Sequence, residues 1–300
     1  MQGLEYFLCD VFTRQALSGN QLAVFPDAGD LSDEQMQAIA REMNLSETVF
    51  VFRRNTLTEA ARGYRVRIFT VKEELPFAGH PTLGTAAVIR RFASENPKVG
   101  TVRLDENAGV VPVEFDDVES SEGALYGEMV QPQVELGEHH AREMVAPALG
   151  LDAWDLSPEL APQTVSTGMP VCVVPLRGVE QLKYMRLNAA KEAEVLKATG
   201  AMFLYAIARE ADGEWQARMQ FYGGEDPATG SAAGCATAYL VGNGVEPGGK
   251  KIHFRQGMAI ARPGDLFGRA ELVDGKVSEV RVAGCTVFVA RGQLFLERFT

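Results

Sequence analysis

One stretch of this sequence occurs twice. Arg65-Val-Arg-Ile-Phe69, followed by Glu74-Leu-Pro-Phe-Ala-Gly-His80-Pro-Thr-Leu-Gly-Thr-Ala-Ala87, is answered by Gln216-Ala-Arg-Met-Gln-Phe221 and Glu225-Asp-Pro-Ala-Thr-Gly-Ser231-Ala-Ala-Gly-Cys-Ala-Thr-Ala238. Glu74 and Glu225, Pro76 and Pro227, and Gly79 and Gly230 are each 151 residues apart. Upstream, Ser18-Gly-Asn-Gln-Leu-Ala-Val-Phe25 is echoed by Thr167-Gly-Met-Pro-Val-Cys-Val-Val174, a glycine-led turn into an apolar strand. Three features repeated in one order are hard to obtain by chance. The period is far longer than the roughly 20–50 residues of a solenoid unit, so the repeat implies two similar domains.

Short runs rich in Val, Phe and Leu, bounded by Gly, Asp, Asn and Pro, read as strands at 6–12, 21–25, 48–53, 64–69, 101–104, 110–115 and from 170 to 176 onward. The clearest helix is 32–43, with Ser32 as N-cap and Met36, Ile39, Ala40 and Met43 at helical spacing. The expectation is an α+β fold of two pseudo-symmetric, β-rich, barrel-like domains, each wrapped around a central helix. The domains are placed at residues 1–130 and 131–288, with the tail 289–300 returning to the first. The acidic stretch 116–123 reads as an exposed turn.

The chain has 300 residues, 29 Lys and Arg against 40 Asp and Glu, and a net charge of -11. That balance disfavours nucleic acid and anionic membranes, which are bound by clustered basic residues. The first residues lack a basic signal-peptide start, and no apolar run approaches the ~20 residues of a membrane span, so a cytoplasmic location is expected. Cys9, Cys172, Cys235 and Cys285 are widely spaced and sit among apolar or small residues, as reduced core cysteines do. With four histidines, two of them adjacent at His139-His140 in a polar stretch read as helical, no metal site is expected. His253, in an alternating strand-like run, reads as packed or hydrogen-bonded.

In both halves a strand ends in a Glu-x-Pro-x-x-Gly turn that enters a run of small residues. Gly79-His80 and Gly230-Ser231 therefore fall at helix N-termini, where unpaired N–H groups and the helix dipole attract anions without Lys or Arg. Two such loops facing each other would grip a carboxylate. Taken alone, either loop is more simply a capped helix in the core; the repetition, with a polar side chain in each, favours a site. Glu47 leads directly into an apolar strand, and in a closed pocket burial would suit it to general acid/base work. Asp226 and His80 are the other proton-transfer candidates, although either could be an ordinary turn or loop residue.

At these residues the sequence resembles the PhzF-like family of phenazine-biosynthesis isomerases, which shares the two-domain fold of diaminopimelate epimerase. The resemblance runs from Asp10-Val-Phe-Thr13 and Gly19-Asn20 through Asn44-Leu-Ser-Glu47-Thr48 and residues 74–84 to Glu225-Asp-Pro-Ala-Thr-Gly-Ser-Ala-Ala-Gly234. It implies that Glu47 is the principal acid/base residue and that His80, Asp226 and Ser231 complete the polar catalytic set. Asn20, Gly79, Gly230 and Ser231 are the implied substrate-binding positions, the two glycines through backbone donors. Related racemases carry a cysteine at each helix start; here those positions hold His80 and Ser231, and Cys235 lies one turn further in. Val71-Lys72 stands where the family often has a proline. The implied reaction is cofactor-free proton movement between carbons of a small cyclic or unsaturated carboxylate, a dihydro-hydroxyanthranilate in the phenazine members, by a homodimer. An amino-acid racemase using Glu47 against Asp226 or His80, and an inactive carboxylate-binding protein, are the alternatives.

Overall fold

The computed structural model describes residues 3–94, 99–116, 123–221 and 224–296. Most of the expected acidic turn at 116–123 lies outside the described residues. The chain divides into two compact units, Met1–Val130 with Ala283–Thr300, and Gln131–Val282.

The first unit contains strands β1 (Gly3–Val11), β2 (Asn20–Phe25), β3 (Glu47–Phe52), β4 (Tyr64–Phe69), β5 (Glu74–Leu75), β6 (Thr101–Glu106), β7 (Gly109–Phe115) and β8 (Leu125–Val130), with helices α1 (Asp33–Met43), α2 (Thr56–Arg62) and α3 (Gly79–Val88). The pairing runs β1–β2 antiparallel, β2–β3 parallel, β3–β4 antiparallel, β4–β6 parallel, then β6–β7 and β7–β8 antiparallel. The last strand of the chain closes the ring by pairing with both β8 and β1, giving a closed barrel of eight strands. At its centre is α3, buried at every position. Its sequence, Gly-His-Pro-Thr-Leu-Gly-Thr-Ala-Ala-Val, carries no acidic or basic chain on any face except His80, so only an interior accommodates it. Gly84 lets it approach closely: a Cβ there would lie 2.7 Å from Leu22 and 2.8 Å from Val11.

Helix α1 forms as its sequence directs. Ser32 accepts from the Gln35 N–H, the Gln35 side chain returns to the Ser32 N–H, and Met36, Ile39 and Ala40 are buried. Their apolar stripe meets Ala23, Phe25, Phe50 and Phe69 on the strands.

The second unit holds β9 (Glu135–His139), α4 (Arg142–Val145), β10 (Gln163–Ser166), β11 (Pro170–Pro175), α5 (Val179–Tyr184), α6 (Ala189–Thr199), β12 (Phe203–Arg209), β13 (Trp215–Phe221), β14 (Gly224–Glu225), α7 (Gly230–Gly242), β15 (Ile252–Gln256), β16 (Gly264–Val273) and the start of β17 (Lys276–Phe295). From β10 to β16 the pairing alternates as it does from β1 to β7: β10–β11 antiparallel, β11–β12 parallel, β12–β13 antiparallel, β13–β15 parallel, β15–β16 antiparallel. Helix α7 takes the place of α3, and residues 230–241 are all buried.

His139-His140 is not helical. His139 ends strand β9, paired with Gln163 of β10, and the His140 ring meets Thr164 Oγ1 at 2.8 Å. Pairing with β10 overrides the local polar pattern, and helix begins only at Arg142. His253 lies on β15 between Glu214 (2.9 Å) and Asp265 (2.8 Å). Among the described residues no helix is long and apolar enough to cross a membrane.

Candidate active site

In the first unit three of the candidate residues meet. Asn20 opens β2 and Glu47 opens β3, and the parallel register sets Leu22 beside Glu47, so both side chains leave the same end of the pair. Helix α3 supplies His80. Its Nδ1 lies 3.1 Å from Asn20 Nδ2 and its Nε2 lies 3.3 Å from Glu47 Oε2, with the His80 and Glu47 side chains only 4% and 7% exposed. Loss of hydration pushes the His80 pKa down to about 3, against a small opposing contribution from the Gln21 backbone, so the ring is neutral at neutral pH. The Asn20 amide meets Nδ1, and Nε2 is the nitrogen that faces Glu47. The Nε2 to Oε2 approach lacks the alignment of a hydrogen bond.

The turn before Asn20 depends on Gly19. Its φ of +59° is left-handed, and a Cβ there would lie 2.3 Å from the Val11 carbonyl oxygen. At the start of α3, Ala78 is the N-cap and has no side chain to bond the first turn. Pro81 has no N–H, which leaves the Gly79 and His80 N–H groups as the donors of that turn.

The second unit brings Asp226, Gly230 and Ser231 to the start of α7. Asp226 Oδ2 accepts from Thr229 Oγ1 at 2.5 Å, and Thr229 is the N-cap. Gln256 ties this loop together. Its Nε2 donates to the Asp226 carbonyl (2.8 Å) and Thr229 Oγ1 (2.9 Å), while its Oε1 accepts from the Thr229 N–H (3.1 Å) and Tyr205 hydroxyl (3.0 Å). No side chain caps α7, so the first-turn N–H groups of Gly230 and Ser231 have no acceptor within the helix. Ser231 is buried, and its carbonyl accepts from the Thr167 hydroxyl at 3.5 Å.

The repeated Glu serves structure in both halves. Arg67 grips Glu74 (Nε to Oε1 2.8 Å, Nη2 to Oε2 2.5 Å), and Arg218 grips Glu225 (Nε to Oε1 3.0 Å, Nη2 to Oε2 2.5 Å). Each forked pair pins the short strand β5 or β14 against its neighbour and so sets where the helix begins.

Sequence reasoning passed over Thr229, Gln256, Thr82 and Glu106. A signal existed: Ile252, Phe254 and Gln256 share the inward face of β15, as Val102, Leu104 and Glu106 share that of β6. A polar residue continuing an apolar alternation is a buried polar residue. Cys235 is buried one turn inside α7, 3.5 Å from Thr167 Oγ1, and burial raises its pKa to about 11. It is a neutral thiol at neutral pH.

Residues 9–292 match the phenazine biosynthesis-like protein family, PhzC-PhzF. The chain belongs to this family. It is 36% identical to trans-2,3-dihydro-3-hydroxyanthranilate isomerase of Pseudomonas aeruginosa over 97% of this chain and 99% of that one, and 33% identical to the same enzyme of Pseudomonas chlororaphis over 97% and 99%. Among solved structures, a PhzF-family protein of Bacillus anthracis superposes with a TM-score of 0.86 at 25% identity, covering 99% of this chain and 100% of that one. A probable proline racemase from Agrobacterium radiobacter shares the fold at 12% identity, with a TM-score of 0.65 over 98% of this chain and 94% of that one. The protein is thus an isomerase of the PhzF family with the α+β fold that its repeat implies.

Proposed function

We propose that this isomerase moves a proton between two carbons of a small cyclic amino or hydroxy carboxylate of the dihydro-hydroxyanthranilate type, with Glu47 as the acid/base and no cofactor. The observation that carries the reading is the buried row Asn20, His80, Glu47 at the start of α3. A carboxylate takes a proton from a carbon next to the unsaturated system. The electron pair of that C–H bond shifts into the ring and moves the double bond, and the same carboxyl returns the proton at the far end of the rearranged system. Neutral His80 sets an uncharged ring beside Glu47 rather than a cation, so it leaves the basicity of the carboxylate unsuppressed.

Backbone N–H groups at the start of α3, at Gly79, are proposed as donors to the substrate carboxylate, whose charge grows as the carbanion-like transition state develops; those at Gly230 are proposed as the matching anion donors of the second unit. Asp226 and Ser231 are assigned to the substrate amine or hydroxyl. The homodimer expected of the family would be seen by light scattering as two chain masses.

Incubation with trans-2,3-dihydro-3-hydroxyanthranilate in deuterated water tests the reading. It predicts ketone formation with one deuterium on carbon. Unchanged substrate with the wild-type protein rejects the substrate, and turnover retained by Glu47→Gln rejects the acid/base assignment.

A further inference from the structure

Beyond the residues that face substrate, the hairpin between β6 and β7 holds the loop that starts α3 at three consecutive points. The Asn107 amide donates to Glu74 Oε1 at 2.8 Å, the Ala108 N–H donates to the Pro76 carbonyl at 2.9 Å, and Glu106 Oε1 lies 2.7 Å from Thr82 Oγ1. Thr82 Oγ1 is also 2.7 Å from the carbonyl of Ala78, the residue that opens the helix.

Proton counting decides what Glu106 is. A hydroxyl has one proton, and the Ala78 carbonyl can only accept. With the Thr82 proton on the Ala78 carbonyl, which also accepts from the Thr82 N–H at 3.2 Å, the hydroxyl presents lone pairs to Glu106 and the proton between them comes from the carboxyl. An ionised Glu106 would take the Thr82 proton and leave two lone pairs facing each other at the Ala78 carbonyl. Glu106 Oε2 makes no hydrogen bond among the described residues, a heavy cost for a buried carboxylate and a smaller one for an acid. The nearby cation, Arg65, is occupied elsewhere, donating to the Asp105 carbonyl at 3.0 Å and to Asn107 Oδ1. Burial raises the Glu106 pKa to about 8.

The second half of the molecule supplies an internal control. β4 pairs Tyr64 with Leu104 and Arg65 with Asp105, while β13 pairs Trp215 with Phe254 and Gln216 with Arg255. One step further, Glu106 and Gln256 occupy equivalent places. Gln256 has an amide N–H that donates to a threonine hydroxyl of the helix-start loop, Thr229. A protonated Glu106 is its near-isostere, donating to Thr82.

We propose that Glu106 is a positioning residue for the Gly79-His80 helix start, acting as a carboxylic acid that donates its proton to Thr82 Oγ1. The fold uses one strand-end position twice to fix a helix-start loop, once with an amide and once with an acid. The link to catalysis rests on the proposed role of His80; the protonation and the contact do not.

Two measurements that need no substrate test the proposal. At neutral pH the infrared spectrum of the wild type should contain a protonated-carboxyl band that Glu106→Gln removes and Thr82→Val shifts to higher frequency. Absence of a band removed by Glu106→Gln overturns the acid assignment. Nitrogen-15 resonances of the His80 ring should keep their wild-type positions in Glu106→Gln, which retains a donor, and move in Glu106→Leu, which does not. Unmoved resonances in folded Glu106→Leu overturn the positioning role, and Thr82→Val gives the same reading where Glu106→Leu does not fold. With an active substrate, Glu106→Leu should lower kcat about 100-fold, the scale of an ångström-sized misplacement, while Glu106→Gln stays within a few-fold.

Discussion

Helices α3 and α7 begin alike: each follows a two-stranded turn pinned by a forked Arg–Glu pair, each opens on glycine without a side-chain cap, and each is buried from its first residue, α3 throughout and α7 to Val241. Their polar fillings differ. Around α3 stand Asn20, Glu47 and His80; the equivalent strand starts in the second unit carry Met169 beside β11 and Phe203 at the first position of β12, and the helix carries Ser231. In place of Asp226 and Thr229, which bond to each other, the first half has Leu75 and Ala78. Two helix starts of one kind thus carry different fillings, an acid, an amide and an imidazole beside α3 and the tightly bonded Asp226, Thr229 and Gln256 network beside α7. A mechanism with matched acid/base residues on both halves is not what this filling supports.

The largest expected effect is on the first half. Glu47→Gln should lower kcat by about 10²–10⁴, the range of a lost general acid/base, with little change in KM. An equal collapse for Asp226→Asn, with KM unchanged, would instead divide the proton work between the halves and break the comparison.

The first half should also dominate the pH dependence of stability, in two opposed ways. His80 titrates near 6.5 when unfolded and near 3 when folded, so below about pH 6.5 the unfolded state takes up a proton that the native state refuses, and stability falls as pH falls toward 3. Glu106 is the reverse: its folded pKa lies near 8 against 4.5 unfolded, so its contribution is intact below 4.5 and is lost as pH rises through 8. Denaturant titrations at a series of pH values should show His80→Asn flattening the acid limb and Glu106→Gln the alkaline limb. An unchanged acid limb in His80→Asn would show that this ring is not held neutral.

In the second half the expected damage is to stability first. Gln256→Leu leaves the Asp226 carbonyl, the Thr229 N–H and the Tyr205 hydroxyl without their buried partner, and should cost at least about 3 kcal/mol in chemical denaturation, at roughly 1–3 kcal/mol for each orphaned group. Ser231→Ala should be milder, raising KM about tenfold for one lost hydrogen bond to substrate while kcat holds.

These contrasts were unevenly legible in the sequence. The repeat predicted both helix starts, because Gly79 and Gly230 each end a turn and lead into a run of small residues that only a buried helix uses. Glu47 stood out as an acid at the mouth of an apolar strand, and the structure places it there. What composition could not supply was pairing at a distance. Glu106 and Gln256 lie on strands far in sequence from the loops they hold, and their roles appear only once β4 meets β6 and β13 meets β15. His139-His140 failed for the same reason: a polar stretch that looks helical alone becomes a strand when β10 pairs with it.

The smallest predicted effect concerns Cys235. In a two-cysteine racemase the helix-start positions carry thiols, and here they carry His80 and Ser231. Cys235 is fully buried, its thiol lies against the Thr167 hydroxyl and the Met169 carbonyl, and its pKa is raised to about 11, so almost none of it is thiolate at neutral pH. Cys235→Ala removes one buried sulfur and should cost about 1 kcal/mol, with kcat and KM within twofold of wild type. Loss of turnover in a Cys235→Ala protein with an unchanged melting curve would bring a thiol into the mechanism and give the second half a proton-transfer group of its own. Retention of turnover is the outcome expected if Glu47 alone carries the proton, as proposed.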